Sequence, residues 1–154
     1  ELATLMATLT TMLPMKPQVP VAIDLGAGFG GPMRFLGRQF PAGRFTSVEA
    51  SPATWLVAWL LALFRPNVRV RWGDLWAADI AACDLVYVFL SPQPMARVWA
   101  HFQAHAKPGA ILVSNTFAIP DVAPLQVITL PGRADAKLLV YTVTMYIRAS
   151  DKTT

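Results

Sequence analysis

The chain has 154 residues, 55% of them hydrophobic and only 14% charged, against about 25% charged in an ordinary soluble domain. That length suits one domain with one core, and the excess of apolar residues points to a fully buried sheet, a partner surface or a membrane neighbour. The single cysteine, Cys83, excludes an internal disulfide, and the net charge of +4 is scattered rather than clustered, which does not indicate a nucleic-acid partner.

In chain order, residues 2–15 form a long uncharged stretch. It is too short for a bilayer span of about 20 residues, and it reads as part of an N-terminal helical extension over residues 1–20. No signal-peptide pattern follows Glu1. The chain does not begin with Met, so a trimmed terminus or a removed membrane anchor stays open. Residues 21–26 (VAIDLG) read as a buried strand. Glycines then fall at Gly26, Gly28, Gly30 and Gly31. Residues 32–40 follow as a helix, with Pro32 near its start and Met33, Leu36 and Phe40 at helical spacing.

Residues 44–50 (RFTSVEA) are the second strand. Ser51 caps the next helix, Pro52 opens it, and its uninterrupted apolar run over residues 55–64 predicts a buried helix. Residues 65–67 (RPN) break it. Residues 68–72 (VRVRW) alternate like a strand near the sheet edge, whereas residues 84–90 (DLVYVFL) read as a strand covered on both faces. Residues 92–105 form a helix and residues 110–117 a fifth strand. Two further strands, residues 125–130 and 137–148, have no helix between them and predict an antiparallel hairpin. The fold class is α/β: a Rossmann-like doubly wound sheet of about seven strands, mostly parallel, closed by a C-terminal antiparallel hairpin. A single domain, residues 1–154, has its core in residues 21–148.

In such sheets a ligand sits beyond the carboxyl ends of the strands. Gly26, Gly28 and Gly31 spell the dinucleotide fingerprint, and Glu49 lies close to where a nicotinamide site places its ribose-binding acid. Asp24 argues otherwise, because a carboxylate beside the loop repels a pyrophosphate and suits a ligand with a positive group. Glu49 can accept two hydrogen bonds from a ribose diol. Asp74 can accept from an adenine amine or cap a helix, and Leu75 can cover the ring.

These residues resemble class I S-adenosylmethionine-dependent methyltransferases over about residues 21–148. DLGAGFG is similar to the first motif of that family, VEASP to the acidic end of its second strand, and the terminal hairpin to its closing strands. Within it, ExxP at residues 49–52, DLW at 74–76, PQPM at 92–95 and NTFAIP at 115–120 resemble the ATP synthase c-subunit lysine N-methyltransferases and their small microbial relatives. Those proteins usually carry an Asp and an Arg in the glycine loop, where this chain has Phe29 and Gly31.

The resemblance implies S-adenosylmethionine as cofactor. The residues expected to hold it are Asp24, Gly26, Ala27, Gly28, Glu49, Ala50, Asp74, Leu75 and Leu90. Ser91 and Pro92 are expected to line the acceptor side, with Asn115, Thr116 and Phe117 facing the same pocket, and Ser91 either orients an amine or caps a helix. The implied acceptor is a protein lysine, with a membrane protein among the candidates. The expected compartment is the cytoplasm, free or membrane-associated. His101 and His105 share a helix face without a third ligand, and no metal is expected. Cys83 reads as a small buried residue. The alternatives are a nicotinamide-dinucleotide-binding module and a catalytically silent methyltransferase-like binding subunit.

Overall fold

Seven strands form one sheet in the order β3-β2-β1-β4-β5-β7-β6 in a computed structural model, which describes residues 2–12, 20–130 and 136–142. The strands are β1 (Val21–Leu25), β2 (Arg44–Glu49), β3 (Val68–Trp72), β4 (Leu85–Val88), β5 (Ile111–Asn115), β6 (Gln126–Thr129) and β7 (Lys137–Thr142). The first five run parallel; β7 pairs antiparallel with both β5 and β6. This is the expected Rossmann-like methyltransferase architecture. The hairpin connection at residues 131–135, and the expected continuation of the last strand over residues 143–148, lie outside the described residues. So do residues 13–19 of the expected N-terminal extension. No helix among the described residues is long and apolar enough to cross a membrane.

The chain winds to opposite faces of β1, so alternate residues of that strand serve two cores. Ala22 faces a cluster with Met33 and Leu36 of α2 (Gly31–Gln39) and Leu5 and Leu9 of α1 (Leu2–Met12). Ile23 and Leu25 face the other cluster, with Met95, Val98 and Phe102 of α4 (Met95–His105). Each buried aliphatic of this size contributes roughly 1.5–3 kcal/mol by leaving water. The central β4 is buried at every position, as its continuous apolar pattern requires.

Two boundaries and the burial of one helix differ most from the sequence reading; the strand expected over residues 84–90 also shortens to Leu85–Val88. The helix expected from Pro92 starts at Met95, because Pro92 and Pro94 supply no N–H and the segment before Met95 forms a turn. The fifth strand stops at Asn115, since Thr116 takes φ 71°. The largest correction concerns α3 (Pro52–Ala62), expected to be buried. Only Ala58 and Ala62 on it are buried, and the outer side chains stand in solvent. Small residues at the sheet contact let the helix approach closely, and its large apolar residues then have nowhere to go but outward.

Candidate functional site

The carboxyl ends of β1, β2 and β4 converge on the glycine loop. Gly26 turns the chain out of β1 with φ +79°, and a Cβ there would meet the Leu90 side chain at 2.5 Å. At Gly28, with φ +53°, a Cβ would meet nothing within 4 Å, so the backbone faces open space and a ligand can reach it. The loop is pinned from three sides. Gly26 and Ala27 N–H groups donate to the Val48 carbonyl at 3.0 Å. Gly28 N–H donates to Glu49 Oε2 at 2.8 Å, and the Arg34 guanidinium donates to the Phe29 carbonyl. Glu49 Oε1 accepts from Ser51 N–H at 2.8 Å, so each carboxylate oxygen holds one backbone group and keeps further lone pairs for a ligand.

Asp24 sits beneath this loop, 1% exposed. Among the described residues its Oδ1 has no hydrogen-bond partner. Burial, with the nearby Glu49 charge second, pushes its carboxyl up to about 8 from an ordinary 3.8. A buried acid with an orphaned oxygen is costly to the fold by itself. It fits a ligand that brings a cationic hydrogen-bond donor. S-adenosylmethionine, which the resemblance implies, carries an ammonium and a sulfonium and meets that requirement.

A cavity of about 700 Å³ opens from Asp24 and the loop. Gly26, Ala27, Gly28 and Phe29 line one side. Tyr87, Phe89, Asn115 and Thr116 line another, and Leu5, Leu130 and Ala136 close it. Leu5 brings α1 over the site, so at least that part of the N-terminal extension packs on the domain itself. Asn115 Nδ2 donates to Tyr87 Oη at 2.9 Å, and Thr116 Oγ1 donates to Asn115 Oδ1 at 2.9 Å. Burial raises the Tyr87 phenol above its ordinary value, so it stays protonated. Thr116 is β-branched yet left-handed, and its N–H donates to the Lys137 carbonyl at 2.7 Å, which ties the strained residue to the closing hairpin. Strain of this kind, of order 1–3 kcal/mol, gathers at binding sites.

The cavity thus brings together Asp24, Gly26, Ala27 and Gly28; Glu49, tied to Gly28, and Leu90, packed on Gly26, stand behind the loop and outside the cavity lining. Ala50 stands beside Glu49, its carbonyl accepting from Trp72 Nε1 at 3.1 Å. Asp74 caps the short 3₁₀ turn Leu75–Ala77, accepting from Trp76 N–H at 3.0 Å, and Leu75 packs into the core beside α4. Neither is among the cavity-lining residues. Ser91 and Pro92 are exposed and not among them either, and α4 is preceded by Pro94 rather than capped by Ser91. Asn115 and Thr116 do face the cavity; Phe117 packs into the α4 core instead.

Tyr87 and Phe89 went unread in the sequence. Alternation along 84–90 could have found them, since Tyr87 shares a face with Leu85 and lies on the Asp24 side of β4. Cys83 is buried, its thiol pushed up to about 11. His101 is half-buried and sits edge-on to Trp76. No cluster among the described residues could hold a metal.

Residues 24–126 match the model of the ANTKMT methyltransferase domain family. No curated protein matches the chain. Among solved structures, it is similar to an RNA methyltransferase from Salinibacter ruber in complex with S-adenosyl-L-homocysteine. The TM-score is 0.77 and the identity 24%, over 93% of this chain and 94% of that one. A precorrin-6y C5,15-methyltransferase from Geobacter metallireducens has TM-score 0.66 and 14% identity, over 89% and 86%. Human N-acetylserotonin methyltransferase in complex with SAM has TM-score 0.52 and 18% identity; the match covers 62% of this chain and 29% of that one. At these identities the likeness is one of fold.

Proposed function

The chain belongs to the ANTKMT methyltransferase domain family, and from that premise we propose that it transfers a methyl group to the side-chain amine of a lysine in a protein. It is an S-adenosylmethionine-dependent methyltransferase. The nicotinamide alternative loses its ground, since the family and the antiparallel closing strands both belong to methyltransferases.

The observation that carries the acceptor reading is the wall opposite the glycine loop. It pairs apolar side chains (Leu5, Phe89, Leu130) with the uncharged polar pair Asn115 and Thr116. An apolar passage disfavours an ammonium and so lowers its pKa toward the neutral nucleophile. The Thr116 and Asn115 oxygens can accept from an amine and aim its lone pair. When bound, the cofactor supplies an electrophilic methyl group on a sulfonium. Asp24 would hold the positive end of that molecule, Glu49 its ribose, and Gly28 its close backbone approach. Asp74 and Leu75 would take the adenine end, Leu90 would back the loop through Gly26, and Ser91 and Pro92 would border the entrance.

Two measurements test this. Calorimetry with S-adenosylmethionine and with NAD should give binding to the first alone. Radiolabelled methyl transfer into a lysate split into membrane and soluble fractions should give protease-sensitive label that hydrolyses to methyllysine. Label removed by nuclease would overturn the lysine reading. No label above background, with the cofactor bound, would point to the silent subunit.

A further inference from the structure

We propose that the outer face of α3, together with the arginines of β3 and of the turn between them, seats the protein on an anionic lipid bilayer. Seven large apolar side chains between Leu56 and Phe64 are 41–91% exposed, Phe64 most of all. Scattered exposed apolar residues are ordinary, but a contiguous face of them marks a surface that meets something apolar. Among the described residues, nothing of this chain covers it.

The charge beside the face selects the occupant. Residues 50–73 hold no acid and three bases, Arg65, Arg69 and Arg71. A groove of about 380 Å³ at the sheet edge, between α3 and β3, is bordered by those three arginines with Trp59 and Leu63; Arg69 and Arg71 alternate with Val68 and Val70, which pack on the α3 side, and reach the groove as edge-strand residues. None of the three arginines has an ion-pair partner among the described residues. A single-signed basic border along one side of an uncharged apolar helix suits an interfacial helix lying in the headgroup plane. Arginine stems can cover apolar surface while their heads reach phosphate. Trp59, with an apolar body and a polar N–H, suits the same depth, and Trp72 adds an exposed ring whose N–H is held by the Ala50 carbonyl. A protein partner would instead be met by a rim of mixed donors and acceptors, and α3 offers only Thr54.

The helix is about 16 Å long. It starts beside Glu49 and Ala50 at the cofactor end of the sheet, so the bilayer would lie alongside the mouth of the site. This placement does not depend on lysine being the acceptor.

Flotation of the full chain with vesicles of pure phosphatidylcholine, and of phosphatidylcholine with 30% phosphatidylglycerol (about that fraction suffices for a surface potential), tests it. The expected result is at least tenfold stronger partition to the anionic vesicles, weakened by salt. Leu60→Ser with Phe64→Ser should lower it at least tenfold, and Arg69→Gln with Arg71→Gln should remove the preference for anionic lipid. Cofactor affinity should be unchanged in both. Quenching of tryptophan emission by lipid-borne bromine should drop in Trp59→Phe, a readout that needs no destabilising change. No binding to anionic vesicles would overturn the proposal. So would binding that the α3 variants leave intact, or self-association that those variants abolish without any vesicle binding.

Discussion

The carboxyl end of β1 and the outer face of α3 break the same rule in opposite directions. Among the described residues, Asp24 has a buried oxygen without a partner, and Phe64 is an apolar group without a cover. The first is enclosed by three strands and a pinned loop, a setting that suits a cationic hydrogen-bond donor. The second lies on an open face with a basic border, so its partner must be extended and negatively charged. Both cost the isolated fold something. An unsatisfied site is therefore read from what surrounds it, and the two environments here specify different ligands.

The strongest way to break the comparison is Asp24→Asn. Removing a buried charge that answers a cationic donor should weaken S-adenosylmethionine binding on the order of a hundredfold, about 2.7 kcal/mol, read by calorimetry. The same change should raise the melting temperature of the free protein at pH 8.5. The sign follows from linkage: the folded carboxyl titrates near 8 and the unfolded one near 3.8. The folded state then binds more protons through that window, and stability falls as pH rises across it. The advantage of Asp24→Asn should shrink as pH drops toward about 4. At pH 7, cofactor binding to the native protein should release close to one proton, seen as a buffer-dependent heat. A variant that binds as tightly as the native chain would remove Asp24 from the cofactor site.

Ala58→Leu comes next. Ala58 is fully buried where α3 meets the glycine loop, its Cβ 3.8 Å from where a Cβ on Gly30 would stand. Overpacking this contact should cost about 1–3 kcal/mol in denaturant unfolding, and should loosen cofactor binding with it. Glu49→Ala should weaken the cofactor at least tenfold, about 1.4 kcal/mol, because it removes two ribose acceptors and frees the Gly28 N–H it now holds. Unchanged affinity would take the ribose role from Glu49.

How much of this was legible in the sequence differs between the two regions. The sheet, its closing antiparallel strands and the Asp24–glycine loop follow from local signals: an apolar run, turn glycines and an acid at a fixed offset. The acceptor wall does not. Tyr87 and Asn115 meet only because β4 and β5 are parallel neighbours in register, and Thr116 lines the cavity through a left-handed turn that β-branched residues rarely take. Ser91 sits where a sequence argument stops, at the end of an apolar run, but the chain had already turned out of the sheet. The misreading of α3 has a different origin. An all-apolar helix is expected inside, yet composition gives no account of which face is needed. Two alanines four residues apart were the visible sign that the sheet contact is narrow.

The smallest expected effect sharpens the comparison most. Leu60→Ser, on the outer face of α3, should change unfolding free energy by less than about 0.5 kcal/mol, because Leu60 is 50% exposed in the folded chain and little apolar area returns to water on its removal. A loss of 2–5 kcal/mol, the range for a buried leucine cut to alanine, would mean that Leu60 is covered in solution and that α3 belongs to the core after all. A near-zero change has the opposite meaning. Apolar side chains that contribute nothing to folding still promote aggregation in water, and a fold that gains nothing from them has no reason of its own to keep five on one helix and two more just past its end. Their exposure then has to be explained by what the helix meets, just as the isolation of Asp24 has to be explained by what the cavity receives.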